Sequence, residues 1–176
     1  MNLFATASDM LLWLLAAALI AAAIQDAVQL KISNLIVLAV LALAVCAALA
    51  TGVQIGVWQN FAVFALVLAV GTMMFSRGIL GGGDVKLLAA VALWTDFPDA
   101  ARLIASIFIF GGILALVIVF GRVVAPTSVS TRLAVLKPKA GTPYDIAIAV
   151  GTLFMILVSK PEPPSVYVPK GVTVQP

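Results

Sequence analysis

The chain has 176 residues, of which 64% are hydrophobic and only 10% are charged, and it carries a formal net charge of +3 with no histidine. A water-soluble domain carries about 25% charged residues, so this composition excludes a soluble globule and predicts an all-α integral membrane protein. The lack of histidine excludes Ser-His-Asp and Cys-His catalysis, and the single cysteine, Cys46, excludes an internal disulfide and a CxxC metal site.

Six apolar segments predict six transmembrane helices, because about 20 apolar residues cross a bilayer as a helix. The segments cover residues 6–25, 32–50, 53–75, 78–95, 103–121 and 142–159. We therefore expect one polytopic six-helix membrane domain over residues 1–159 and a Pro-rich extracytoplasmic tail over residues 160–176.

The first segment ends at Asp26, and acidic residues at bilayer depth are rare and usually functional. A short polar turn with Lys31 and Asn34 follows it. Asp26 is interpreted either as an ion-pair partner of Lys31 or as part of a site. Asn34 is interpreted either as the cap of the second helix or as a residue that orients a carboxylate.

Near its start, the fourth segment contains Gly81, Gly82 and Gly83, followed by Asp84. Its uninterrupted apolar part, residues 87–94, has eight residues and is too short to cross a bilayer alone. We therefore expect the glycine-rich stretch to lie at bilayer depth in a non-helical conformation. Such backbone must face protein or water, so we expect residues 80–86 to line a water-filled cavity.

Other interpretations exist for the residues of this stretch. Asp84 also fits a helix N-cap, and the glycines also fit close helix packing. Lys86 either stabilises charge at a site or extends its amine to the membrane interface.

The distribution of lysine and arginine predicts the orientation. If the connections after the first, third and fifth segments share one side, that side carries seven of the ten basic residues, namely Lys31, Arg77, Lys86, Arg122, Arg132, Lys137 and Lys139. The other side carries Arg102, Lys160 and Lys170. The seven are expected in the cytoplasm, and Asp26 and Asp84 then lie at the same membrane level.

A carboxylate pair at one level suits the hydrolysis of a peptide bond. Two close carboxyl groups share a proton, so one can activate water while the other hydrogen-bonds the scissile carbonyl. The bare glycine backbone lets an extended substrate approach. A small membrane transporter or assembly subunit that uses the acids for proton or ion handling is the non-enzymatic alternative.

These residues together resemble the type IV prepilin peptidases, the GxGD membrane aspartic proteases. The resemblance covers residues 10–158 and rests on Asp26, Asn34, the Gly81–Asp84 run with Lys86, and the Pro143-Tyr144 pair. It implies that Asp26 and Asp84 are catalytic. It also implies a substrate-binding or supporting role for Gly81, Gly82, Gly83, Lys86 and Asn34.

The short chain is similar to the peptidases of tight-adherence (Flp) pilus systems. The paired CxxC motifs of larger relatives are absent, so we expect no methyltransferase domain. The implied substrate is a prepilin or pseudopilin, cut after the glycine that ends its leader, on the cytoplasmic face of the bacterial inner membrane. The resemblance implies no metal, no cofactor and no nucleic-acid partner. A GxGD protease acting on other membrane segments is the alternative.

Two positions depart from the family pattern, and the first is Ser33, which stands where the family commonly has proline before the asparagine. The second is Asp145, which stands where the family usually has glycine. It is interpreted as a residue at the membrane interface, and alternatively as an acid that perturbs the pair or binds Lys137 or Lys139. The first interpretation predicts that its replacement by glycine preserves activity.

Overall fold

The computed structural model describes residues 1–29, 33–52, 54, 56–124 and 144–159, and these residues form an all-α membrane protein. The described residues contain seven helices and no strand: α1 Leu3–Thr6, α2 Asp9–Gln29, α3 Asn34–Ala50, α4 Val57–Ser76, α5 Gly82–Ala92, α6 Phe97–Val124 and α7 Tyr144–Ser159. Helices α2 to α7 lie on the six predicted apolar segments, whereas α1 was not predicted. Lys31 and the predicted tail lie outside the described residues.

The outer surface of the helices is apolar. Helices α2 and α4 and the Phe97–Phe120 part of α6 are long and apolar enough to cross a bilayer, while α3 and α7 are apolar but shorter. Side chains such as Trp13, Phe108 and Leu157 are exposed on this surface, where a bilayer would cover them with lipid. Six passes remain a prediction, because α5 has 11 residues and is only about 16 Å long.

Helix α5 is the central element, packed against α3, α4 and α7. Its residues 89–92 are buried, as is Trp94 just after its end. The Trp94 ring stacks on Phe4 of α1 with centroids 5.8 Å apart, and its Nε1–H donates to the carbonyl of Val40 at 3.3 Å. These contacts fix the end of α5 that lies away from Asp84 to α1 and α3.

Two glycines bring neighbouring helices into close contact. A Cβ at Gly71 of α4 would lie 2.7 Å from Cγ1 of Val85 in α5. A Cβ at Gly151 of α7 would lie 2.8 Å from Cα of Ile107 in α6. Because small residues permit such approach between membrane helices, these positions fix α5 against α4 and α7 against α6.

The predicted non-helical conformation was wrong for Gly82 and Gly83, which are helical, whereas residues 78–81 lie before the helix. Gly82 and Gly83 form the first turn of α5, and Gly81 is its extended N-cap. Asp84 at the third helical position accepts a hydrogen bond from the Gly81 N–H at 3.2 Å. A carboxylate at this position also interacts favourably with the positive end of the helix dipole. This interaction helps offset the loss of helix stability, about 1 kcal/mol for each glycine within a helix. The chain turns before this point, at Gly78, where φ is 72°.

Candidate active site

Three aspartates from three helices meet at one end of the bundle. Asp26 lies near the end of α2, whereas Asp84 and Asp145 lie in the first turns of α5 and α7. Asp26 is 6% exposed and Asp145 is completely buried, while Asp84 is partly exposed. The Asp84 carboxyl group is close enough to act electrostatically on both of the others. The predicted pair is therefore brought together, with a third acid beside it.

Asp26 is bound to the start of α7 through the main chain. The backbone N–H of Asp145 donates to the Asp26 carboxylate, which satisfies one of the free N–H groups in the first turn of α7. The positive end of the helix dipole favours negative charge at this place. The second oxygen, Oδ2, is buried and has no hydrogen-bond partner among the described residues, so it can carry a proton.

Asp84 is held by its own helix. Its Oδ2 accepts from the Gly81 N–H, and a Cβ at Gly81 would lie only 2.9 Å from the same oxygen. A Cβ at Gly82 would lie 3.3 Å from the ring of Phe75, and Gly83 lies in the same turn. The interpretation of Asp84 as the N-cap was wrong, because Gly81 is the N-cap and Asp84 is the third helical residue, which binds the Gly81 N–H and lies near the other acids. The absence of a side chain at position 81 leaves room for its carboxylate.

Lys86 and Asn34 contact each other near the site. Lys86 Nζ donates to Asn34 Oδ1 at 3.1 Å, and both side chains are exposed. The cap of α3 is Ser33, whose Oγ accepts from the Leu35 N–H at 3.2 Å. The capping interpretation of Asn34 was therefore wrong, because Asn34 already lies inside the first turn. The Lys86 contact instead joins α3 to α5.

The complete burial of Asp145 was not predicted from the sequence. Neither of its carboxyl oxygens has a donor among the described residues, yet its side chain contacts the Asp84 carboxyl group at hydrogen-bonding range. Two carboxylates offer only acceptors, so this contact is a hydrogen bond only when one group carries a proton. The interpretation of Asp145 as a membrane-interface residue was wrong, because the side chain is completely buried.

A sequence signal for this burial exists on α7. Asp145, Ala149 and Thr152 follow each other at four and three positions, which places them on one face of a helix, and all three are buried. Small and polar residues at this spacing indicate close contact with other helices in a membrane. Across the described residues, no group of three His, Cys, Asp or Glu side chains is arranged to hold a metal ion.

A cavity of about 330 Å³ opens beside Asp84. Most of its wall is apolar and comes from α4 to α7 and the turn before α5, including Met74, Ile79, Leu80, Leu88, Ile107 and Phe108. The expected cavity over residues 80–86 is thus present in part, since Leu80 and Asp84 line it. Its apolar wall suits a hydrophobic segment better than a column of water.

Comparison with known families adds to this geometry. The model of the type IV leader peptidase family matches residues 13–120, which is more than half of the chain. The matched range contains Asp26, Asn34 and the Gly81–Lys86 stretch, whereas α7 with Asp145 lies beyond it. The comparisons with curated proteins and with solved structures found no match.

Proposed function

Because the chain belongs to the type IV leader peptidase family, we propose that it is a membrane-embedded aspartic endopeptidase that removes the leader of Flp-type prepilins. Family membership supports peptidase activity. The observation that carries the aspartic mechanism is the proximity of Asp26 to Asp84, which itself lines a largely apolar cavity. We place the cut at the cytoplasmic face of the bacterial inner membrane, because most of the basic residues lie on the same predicted side as the two acids.

The proposed reaction uses the two acids in opposite protonation states. The ionised carboxylate takes a proton from water, and the protonated carboxyl group donates a hydrogen bond to the scissile carbonyl. Water attacks the carbonyl carbon while the protonated carboxyl group gives its proton to the carbonyl oxygen, which forms a tetrahedral diol without a covalent bond to the enzyme. The acid that took a proton from water then gives it to the leaving nitrogen and the C–N bond breaks. One hydroxyl of the diol returns a proton to the other carboxylate, so the pair regains its starting state.

The cavity gives this reaction a place for the substrate. A prepilin carries an apolar helix directly after the short leader that is removed. Leu80, Leu88 and Ile107 offer an apolar wall next to Asp84, so the start of that helix can pack there while the scissile bond reaches the carboxyl groups. Lys86 is exposed at the same end and can attract acidic residues near the cut.

The test is to co-express the chain with a Flp-type prepilin and to follow leader removal on a gel. We expect Asp26→Asn and Asp84→Asn each to lower cleavage by at least about a hundredfold, because each removes an acid–base group. Asp99→Asn is the matched control, since Asp99 lies in the first turn of α6 and binds Arg102 at 2.8 Å. An unrelated single-span membrane protein tests whether other segments are cut.

Full processing by either of the two variants would contradict the catalytic assignment. Cleavage of the unrelated segment at the same rate as prepilin would favour the broader GxGD protease over a leader peptidase. Peptidase activity on this substrate would be contradicted if prepilin stays intact in membranes that contain the folded parent chain.

A further inference from the structure

Asp145 is a buried acid that the proposed reaction does not yet use. Its side chain is completely buried, and both carboxyl oxygens lack a donor among the described residues. Burying a carboxylate without a partner costs several kcal/mol, so the group must be neutral or share a proton. Among the residues that the structure describes, the titratable groups that act on it are Asp84 of α5 and Asp26 of α2.

We propose that Asp145 is a positioning residue, which holds the Asp84 carboxyl group through one proton shared between the two side chains. This inference rests on the proposed peptidase function. The contact between the two carboxyl groups is a hydrogen bond only with such a proton. Asp84 is then held at two points, by the Gly81 N–H of its own helix and by Asp145 of another helix. Its carboxyl group is thereby fixed in orientation as well as in position.

The same residue also contacts the other acid. The backbone N–H of Asp145 donates to Asp26, while its side chain contacts Asp84. The first turn of α7 therefore connects the acids of α2 and α5, one through the main chain and one through the side chain. A substitution at position 145 removes only the side-chain contact, so it changes the orientation of Asp84 and leaves the N–H bound to Asp26 in place.

Two variants separate this role from a merely structural one. Asp145→Asn keeps a donor of the same shape, whereas Asp145→Ala removes it. We expect Asp145→Ala to lower kcat by roughly tenfold with KM unchanged, because the carboxyl group moves while the cavity wall stays intact. Asp145→Asn should retain kcat within about threefold, because its amide can donate to an ionised Asp84. Both should match the parent in thermal unfolding in detergent to within a few degrees.

A measurement independent of activity reports the proton itself. The infrared C=O stretch of protonated carboxyl groups should be weaker in Asp145→Asn than in the parent protein, because the proton shared between Asp84 and Asp145 is lost, and it should be unchanged in the control Asp99→Asn. Asp99 is also an acid in the first turn of a helix, but it is paired with Arg102.

Each outcome decides between the alternatives. Equal kcat for the parent and Asp145→Ala, or no rescue by Asp145→Asn, overturns the positioning role, and an unchanged infrared band overturns the shared proton. A parent chain that leaves prepilin intact, but whose band still weakens in Asp145→Asn, overturns the proposed function and supports the shared proton.

Discussion

The glycine at position 81 offers a sharp test of how the site is held. Gly81→Ala adds a Cβ that would lie 2.9 Å from Asp84 Oδ2, whereas ordinary contact begins at 3.4 Å. The carboxylate must therefore move by about 0.5 Å. Because a displacement of 1 Å in a catalytic site can lower the reaction rate by about a hundredfold, we expect roughly a tenfold loss of cleavage rate. The assay is the initial rate of leader cleavage by purified protein in liposomes.

Stability should change much less than activity. The backbone at Gly81, with φ −73° and ψ 148°, is allowed for alanine, which favours the folded state by about 0.4–1 kcal/mol. The displaced carboxylate weakens its hydrogen bond from the Gly81 N–H, which opposes this gain, so the free energy of unfolding should stay within about 1 kcal/mol of the parent value. Gly56→Ala is the matched control, because Gly56 is the N-cap of α4 and its new Cβ would lie 3.7 Å from the nearest atom. If Gly81→Ala cleaves as fast as this control, the carboxylate does not depend on the space that glycine leaves, and the reasoning is refuted.

Two further predictions concern the surroundings of the site. Lys86→Ala and Asn34→Ala should each lower the cleavage rate by about two- to fivefold, because the exposed hydrogen bond between the two side chains contributes about 0.5–1 kcal/mol. The double variant should lose no more cleavage rate than either single variant, since both remove the same bond. Loss of all cleavage with an intact fold would instead give Lys86 an essential role. Gly151→Ala should destabilise the protein by about 1–3 kcal/mol in thermal unfolding, because its Cβ meets the backbone of Ile107, whereas Gly112→Ala, in open space, should not. Equal unfolding temperatures for these two glycine variants would contradict the close packing of α6 and α7.

Much of the fold follows from hydropathy. Apolar runs predict where α2 to α7 lie, since a helix that satisfies its own backbone is what a membrane favours. Helix ends are harder, because they depend on caps. Ser33 rather than Asn34 caps α3, and α5 begins inside the glycine run because Asp84 satisfies the Gly81 N–H. Helix α1 depends on long-range contacts between Phe4 and Trp94, which no local pattern encodes.

The pair of acids in the site could be predicted because their chemistry and their predicted membrane level both pointed to the same two residues. Asp26 and Asp84 are unusual acids at the same predicted membrane level, so their proximity could be expected from the alternation of helices. The position of Asp145 required the rotation of α7 about its axis, which determines whether the residue faces water, lipid or the other acids. That rotation is set by the packing of Gly151 against Ile107, a contact across more than 40 residues of chain.

The close contacts between helices have a consequence for the substrate. A peptide bond in a helix is shielded by its own hydrogen bonds, so hydrolysis requires the helix to open locally. Gly71 against Val85 and Gly151 against Ile107 leave no space for the helix pairs to slide, so the enzyme contributes little of this deformation. We therefore expect the substrate to present backbone that is already extended, as at the end of a leader that comes before an apolar helix. On this reasoning, selectivity should depend on where the substrate helix begins as much as on the side chains that it presents.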